Sequence, residues 1–222
     1  SKTGEIAAEG NSRDRIPIVE YPNGATVDQL EGAAPGLAGR VSIRYSEEGL
    51  DSWSSTPGLF DPKRDYVHQF VLTYLKPNTR YEFDVTAFPL PKNPSHLSGN
   101  AGAFPTVSGS FETAPTPATF TPITFTVTTG QEYNDNDSPD GFRMYAAMLK
   151  LHPSFFVHTG DILYYDALAK SLPLARWHWQ RMYSLPTNVE FHKQVPSYFI
   201  KDDHDTWMND CWPSMQSPYM GE

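Results

Sequence analysis

One cysteine, Cys211, occurs in 222 residues, so no disulfide framework can form within the chain. It lies between Asp210 and Trp212 with no base beside it, which argues against thiol catalysis. No run of 18 apolar residues is present, which excludes a membrane-spanning helix. Positive charge is scarce: 17 Lys and Arg face 26 Asp and Glu, a formal net charge of −9. Such a chain has no basic surface for the phosphate backbone of nucleic acids. A small phosphorylated substrate is still compatible, because bound cations reverse the field locally. No signal peptide is visible, and the polar start from Ser1 to Glu5 reads as a processed or trimmed end.

What is present is apolar and rich in turns. Hydrophobic residues at 39% and aromatics at 14% suffice for packed cores, in one large domain or two ordinary ones. Twenty prolines and fifteen glycines point to many turns and a β-rich portion. Up to about residue 115 the pattern is strand and turn. Val41 to Tyr45 and Tyr81 to Val85 alternate apolar and polar; Tyr66 to Leu75 and Ser108 to Thr113 are further strand candidates. Lys76 to Thr79 and the stretch 93–100 supply turns between them, and one or two strands are expected in the first 40 residues. Several short strands separated by turns predict a sandwich. Leu75 to Val85 resembles the fibronectin type III and related immunoglobulin-like pattern, in which a tyrosine corner opens the sixth strand; Gly109 to Pro115 is similar to that family's last strand.

Thr113 to Pro117 reads as a short stiff linker, and after it the period changes. Ser138-Pro139 offers a helix N-cap with proline at the first position, and Phe142, Tyr145, Met148 and Leu149 recur at helical spacing until Pro153. A second helix is predicted over Leu172 to Tyr183, with Pro186 beyond its end. Strands from Ile123, Ser154 and Pro196 alternate with these helices, giving βαβαβ and a parallel sheet.

Each of those strands runs into an acidic loop: Gly130-Gln131-Glu132, Gly160-Asp161 with Tyr164 to Asp166, and Asp202 to Asp205. In an open α/β sheet the strand carboxyl ends form the ligand-binding edge, so the loops should share one crevice. Carboxylates crowded there repel one another unless a cation holds them, which points to a metal site. Asp161 suits the bridge between two cations, since a carboxylate has two oxygens. Tyr164 suits a strong Lewis acid such as ferric iron, because a free phenol ionises only near pH ~10; aromatic packing is the plainer reading of Tyr164 and Tyr165. Asp203 is an oxygen ligand for one cation, and His204 a donor of a hydrogen bond or proton to a phosphoryl oxygen or leaving group; a solvated loop is the alternative. Gln131 or Glu132 offers a further oxygen. Asp135 to Gly141 departs from a calcium loop, with Pro139 at the third ligand position and Gly141 one residue late. Arg176 and Arg181 read as exposed salt-bridge formers, with contact to an anionic substrate the alternative. His158 reads as a core histidine, and His178 and His192 lack ligand spacing.

Phe155 to Asp166, Arg176 to Tyr183 and Asp202 to Asp205 together resemble the metallophosphoesterases of the PhoD alkaline phosphatase type. Gly160-Asp161-x-x-Tyr164 is shared with purple acid phosphatases, but their Gly-Asn-His-Glu motif is replaced by Asp202 to Asp205. The resemblance implies an immunoglobulin or fibronectin III-like β-sandwich over residues 1–117. Residues 118–222 would then form the N-terminal portion of an α/β metallophosphoesterase (αββα) domain. It further implies hydrolysis of small-molecule phosphate monoesters or diesters by metal-activated hydroxide. Asp161 would bridge the metals, Tyr164 bind iron(III), Asp203 bind a second divalent cation (calcium, zinc or manganese), and His204 act catalytically. A secreted or periplasmic location is implied too. The family's first loop carries a cysteine ligand where Gly130 stands here, and its remaining ligands lie downstream, so a C-terminal polypeptide is expected to complete the domain. The competing reading is a non-catalytic β-sandwich binding protein joined to a degenerate phosphoesterase half.

Overall fold

The computed structural model describes residues 6–7, 18–19, 25–89, 105–164, 171–206 and 209–212. The expected turn at 93–100, most of the first 24 residues, Tyr165 and Asp166 lie outside these. The chain divides into two compact units, one of residues 36–123 with 193–196 and one of residues 1–35, 124–192 and 197–222. Two minimal strands, β1 (Ile6–Ala7) and β2 (Ile18–Val19), pair antiparallel in the latter unit.

In the first of these units β3 (Gly39–Glu47), β4 (Ser54–Leu59), β5 (Arg80–Pro89) and β6 (Thr106–Glu112) form an antiparallel sheet of order β4-β3-β5-β6. Val41 and Ile43 bury alternate positions of β3, as the period of two requires. On the opposite face Arg44 pairs with its cross-strand neighbour Asp84 at 2.6 Å. Tyr81, 4% exposed, accepts a 2.9 Å hydrogen bond at its hydroxyl from the Lys76 amide and stacks on Phe111 at 5.4 Å. This is a tyrosine corner at the start of β5. The order β3-β5-β6 agrees with one layer of an immunoglobulin-like sandwich; an opposing layer does not occur among the described residues. The expected strand from Tyr66 to Leu75 is not one: no strand is formed there, and Asp65, Tyr66 and Tyr74 take left-handed φ of 54°, 57° and 60° that interrupt extension. Conversely β4 contains Pro57 and Gly58, which hide it in the sequence; among the described residues it pairs with β3 alone, and proline is tolerated at an edge.

The other unit carries the parallel sheet β7 (Phe125–Thr128), β8 (Phe155–His158) and β9 (Ser197–Phe199), in that order. Its helices are α1 (Arg143–Leu149), α2 (Leu172–Tyr183) and α3 (Pro186–His192). Phe156, Tyr145 and Phe191 are fully buried, with ring centroids 5.1 to 6.0 Å apart, and join β8 to α1 and α3. Each such aromatic contributes roughly 2–3 kcal/mol by burial. α2 begins as its sequence dictates, with the Ser171 side chain accepting from the Leu174 amide and Pro173 in the first turn. α1 does not start at Ser138. That residue closes a turn with Gly141, and the Asp137 carboxylate accepts from the Arg143 amide at 2.8 Å. Pro186 opens α3 rather than merely following α2, using proline's fit to a helix start. The segment around Val27, Leu30 and Ala33 packs on Leu174 and Trp177 of α2; the Trp177 indole donates to the Glu31 carbonyl at 2.9 Å.

Candidate metal centre

The turns leaving β7, β8 and β9 are tied to one another by the backbone. The Gly130 amide donates to the Gly160 carbonyl at 3.3 Å, and the Gln131 amide to the Asp161 carbonyl at 2.7 Å. Asp205, fully buried, accepts at one oxygen from the amides of Ile162 (2.6 Å) and Leu163 (2.8 Å). Gly160 has φ +116°, and a Cβ there would overlap the Cβ of Asp202, so only glycine lets the second and third turns approach this closely.

Within this frame, ligand atoms of Asp161, Asp203 and His204 all lie within 4.8 Å of one another. Asp161 (φ 53°) and Tyr164 (φ 51°) both take the left-handed conformation, a strain that clusters at functional sites. The Tyr164 hydroxyl stands 3.5 Å from Asp161 Oδ2, and its ring lies 4.6 Å from that of His204. Desolvation pushes the Asp161 carboxyl above its ordinary range; the charge of His204 opposes this, and the neighbouring carboxylates of Asp203, Asp202 and Asp205 add to it. Asp203 is held below its ordinary range. Desolvation would raise it, but hydrogen bonds from the Asp210 and His204 amides, with the charge of His204, outweigh that.

These donors fit a hard cation. Asp161 Oδ1 is buried without a hydrogen-bond partner, a costly state for a carboxylate oxygen that a cation would relieve. Oxygen and imidazole donors at this spacing suit Ca²⁺, Mn²⁺, Zn²⁺ or Fe³⁺. A Cβ on Gly130 would lie 3.5 Å from the Tyr164 hydroxyl, so this position borders the cluster but supplies no ligand.

Other candidates are placed elsewhere. Gln131 is a core residue: its Oε1 accepts from the Tyr145 hydroxyl at 2.7 Å and meets His158 Nε2 at 3.3 Å, while its Nε2 faces Met182 Sδ. The amide is therefore not an oxygen ligand. His158 is the core histidine expected, wholly buried. Arg181 forms no exposed salt bridge; it lies between the rings of Tyr133 and Trp177. Asp205, which ties the third turn to the second, is a residue that residue-type reasoning did not single out. Its signal was present, as the last carboxylate of an acidic turn directly after a core strand.

No family model matches the chain, and no curated protein is similar to it in sequence. Among solved structures, one described as "Structure of PhoD" superposes with a TM-score of 0.64 over 81% of this chain, at 18% identity. The chain has a PhoD-like fold. It spans about a third of the PhoD chain, 35% of its length. In this PhoD-like fold the Asp161, Asp203 and His204 cluster lies at the carboxyl edge of the parallel sheet, the ligand-binding edge of open α/β folds.

Proposed function

We propose that the chain is the N-terminal part of a metal-dependent phosphoester hydrolase acting on small phosphate monoesters or diesters. The observation that carries this is the convergence of Asp161, Asp203 and His204, from two strand-end turns, within 4.8 Å. Bound cations would supply charge neutralisation at the phosphoryl group and a water acidic enough to react near neutral pH. In this reading Asp161 would hold both an iron(III) and a second, divalent cation (calcium, zinc or manganese). Tyr164 would be a further holder of the iron and Asp203 of the second cation. His204 donates to a phosphoryl oxygen or to the departing alcohol. Asp205 is the positioning residue that fixes the Asp161 turn.

The reading includes a secreted or periplasmic location; no helix of the described residues is long and apolar enough to cross a membrane. It also includes a C-terminal polypeptide that completes the domain. Supporting this, Phe125, Val127 and Tyr198 are exposed on the sheet face opposite α1 and α3, whereas parallel sheets are covered on both faces. Gly130 favours the second reading, a binding protein with a degenerate site, because it bears no ligand beside Tyr164. Turnover of bis(p-nitrophenyl) phosphate by metal-loaded protein separates the two. His204→Ala should lower kcat by roughly 10²–10⁴-fold, while His152→Asn, at an exposed left-handed position, leaves it unchanged. Equal effects of the two substitutions, or no turnover by the parent, would refute the hydrolase.

A further inference from the structure

Among the described residues no carboxylate forms an ion pair with the Arg181 guanidinium. Its carbon sits 4.3 Å from the Tyr133 ring centroid and 4.2 Å from that of Trp177, so two aromatic rings hold it by their faces. One terminal nitrogen donates to His178 Nδ1 at 3.2 Å, and the buried Nε has no partner. Among the described residues every ion pair lies elsewhere, although the chain has 26 acidic side chains. Glu132 attracts the guanidinium electrostatically without pairing with it, and burial pulls its pKa down to about 10, still fully charged at neutral pH. A largely buried charge is normally paired, since desolvation costs several kcal/mol. The protein instead anchors this one from behind. A Cβ at Gly32 would overlap the Arg181 Cβ, and Gln180, one residue earlier, accepts from the Ala34 amide at 2.9 Å.

The position of this cation relates it to the metal centre. Gln131 binds the Asp161 carbonyl, and Tyr133 follows two residues later, a reach of at most ~7 Å along the chain. The first turn therefore meets Asp161 through Gln131 and the Arg181 guanidinium through Tyr133. With a ring over each of two sides and Nε buried, this partly exposed side chain has its terminal nitrogens left to meet the oxygens of phosphate or carboxylate.

We propose that Arg181 is an oxyanion-binding residue that receives a negatively charged group of the substrate beside the metal centre. The proposal deepens the hydrolase reading by making doubly anionic phosphoesters the preferred class, and it is tested without metal so that the two stand or fall separately. Chelator-treated protein is titrated with inorganic phosphate and, in parallel, acetate, following Trp177 fluorescence and heat. Saturable phosphate binding is expected, weakened at least tenfold in Arg181→Met, whose apolar stem keeps the ring packing, and unchanged in His152→Asn, at an exposed position outside the site. Tighter binding of acetate than phosphate would assign the pocket to a carboxylate of the substrate; the reverse assigns it to a phosphoryl group. No saturable binding of either ion, or equal affinity in Arg181→Met, would overturn the proposal. If Arg181→Met does not fold, Arg181→Lys decides. It keeps charge and loses the fork, so a severalfold loss supports the role and an unchanged affinity contradicts it.

Discussion

The buried carboxylate of Asp205 accepts a 2.6 Å hydrogen bond from the amide of Ile162, so the turn after β9 holds the turn after β8 in place. Leu163 donates to the same oxygen at 2.8 Å. Asp205→Ala strands two buried donors and should destabilise the fold by about 3 kcal/mol in urea titration. Asp205→Asn keeps one acceptor oxygen and should cost about half as much. A smaller loss in the alanine variant than in the asparagine variant would mean that this link is not what orders the turn.

The two glycines of the site should respond differently to a methyl group. Gly160→Ala meets Asp202 and a φ of +116°, whereas Gly130→Ala meets open space, with Tyr164 at 3.5 Å and a φ of +65°. The first should cost more than ~2 kcal/mol and impair cation binding; the second should cost about 1 kcal/mol, the strain of a left-handed alanine alone. Thermal melts of both variants check this order.

Acid should weaken the fold through its buried histidines. Desolvation, reinforced by the charge of His158, depresses His192 from 6.5 to about 4, and burial takes His178 to about 3. A histidine harder to protonate when folded contributes its full stability above pH 6.5. That contribution is lost as pH falls from 6.5 towards 4, because the unfolded chain binds the proton first. For His192 the loss amounts to about 3 kcal/mol. Unfolding free energies at pH 7.5, 6, 5 and 4.5 should decline accordingly, and His192→Gln should flatten the curve. An unchanged slope in that variant would refute the assignment.

In the antiparallel unit, Tyr81→Phe removes only the hydroxyl that accepts from the Lys76 amide. It should cost about 1 kcal/mol in urea unfolding and leave cation binding untouched.

Particular residues show why some of this was legible in the sequence. α2 was readable to its ends because Pro173 near its start and Pro186 beyond its end agree with the packing, and the Ser171 cap is what the folded chain adds. The tyrosine corner came with the immunoglobulin-like resemblance of Leu75 to Val85, and the parallel pairing of β7, β8 and β9 with the alternation of strands and helices. The segment 66–75 looked like a strand because its apolar content is high, but the left-handed Tyr66 and Tyr74 within it and Asp65 just before it, none of them glycine, are fixed by tertiary context that composition does not carry. The first turn of α1 went to Asp137 over Ser138 through a contact six residues long. Asp161, Asp203 and His204 were nameable from residue type at strand ends. The role of Asp205 and the stacking of Arg181 depend on burial, which only the folded chain reveals.

The central claim is that strand-end turns share cations between Asp161, Tyr164 and Asp203. Equilibrium dialysis against iron and calcium, with metal content measured per chain, tests it most directly. The account predicts stoichiometric metal, at least tenfold weaker binding in Asp161→Asn and Asp203→Asn, and a visible tyrosinate band lost in Tyr164→Phe. Protein that stays metal-free in excess iron and calcium, or variants that bind as the parent does, would contradict it.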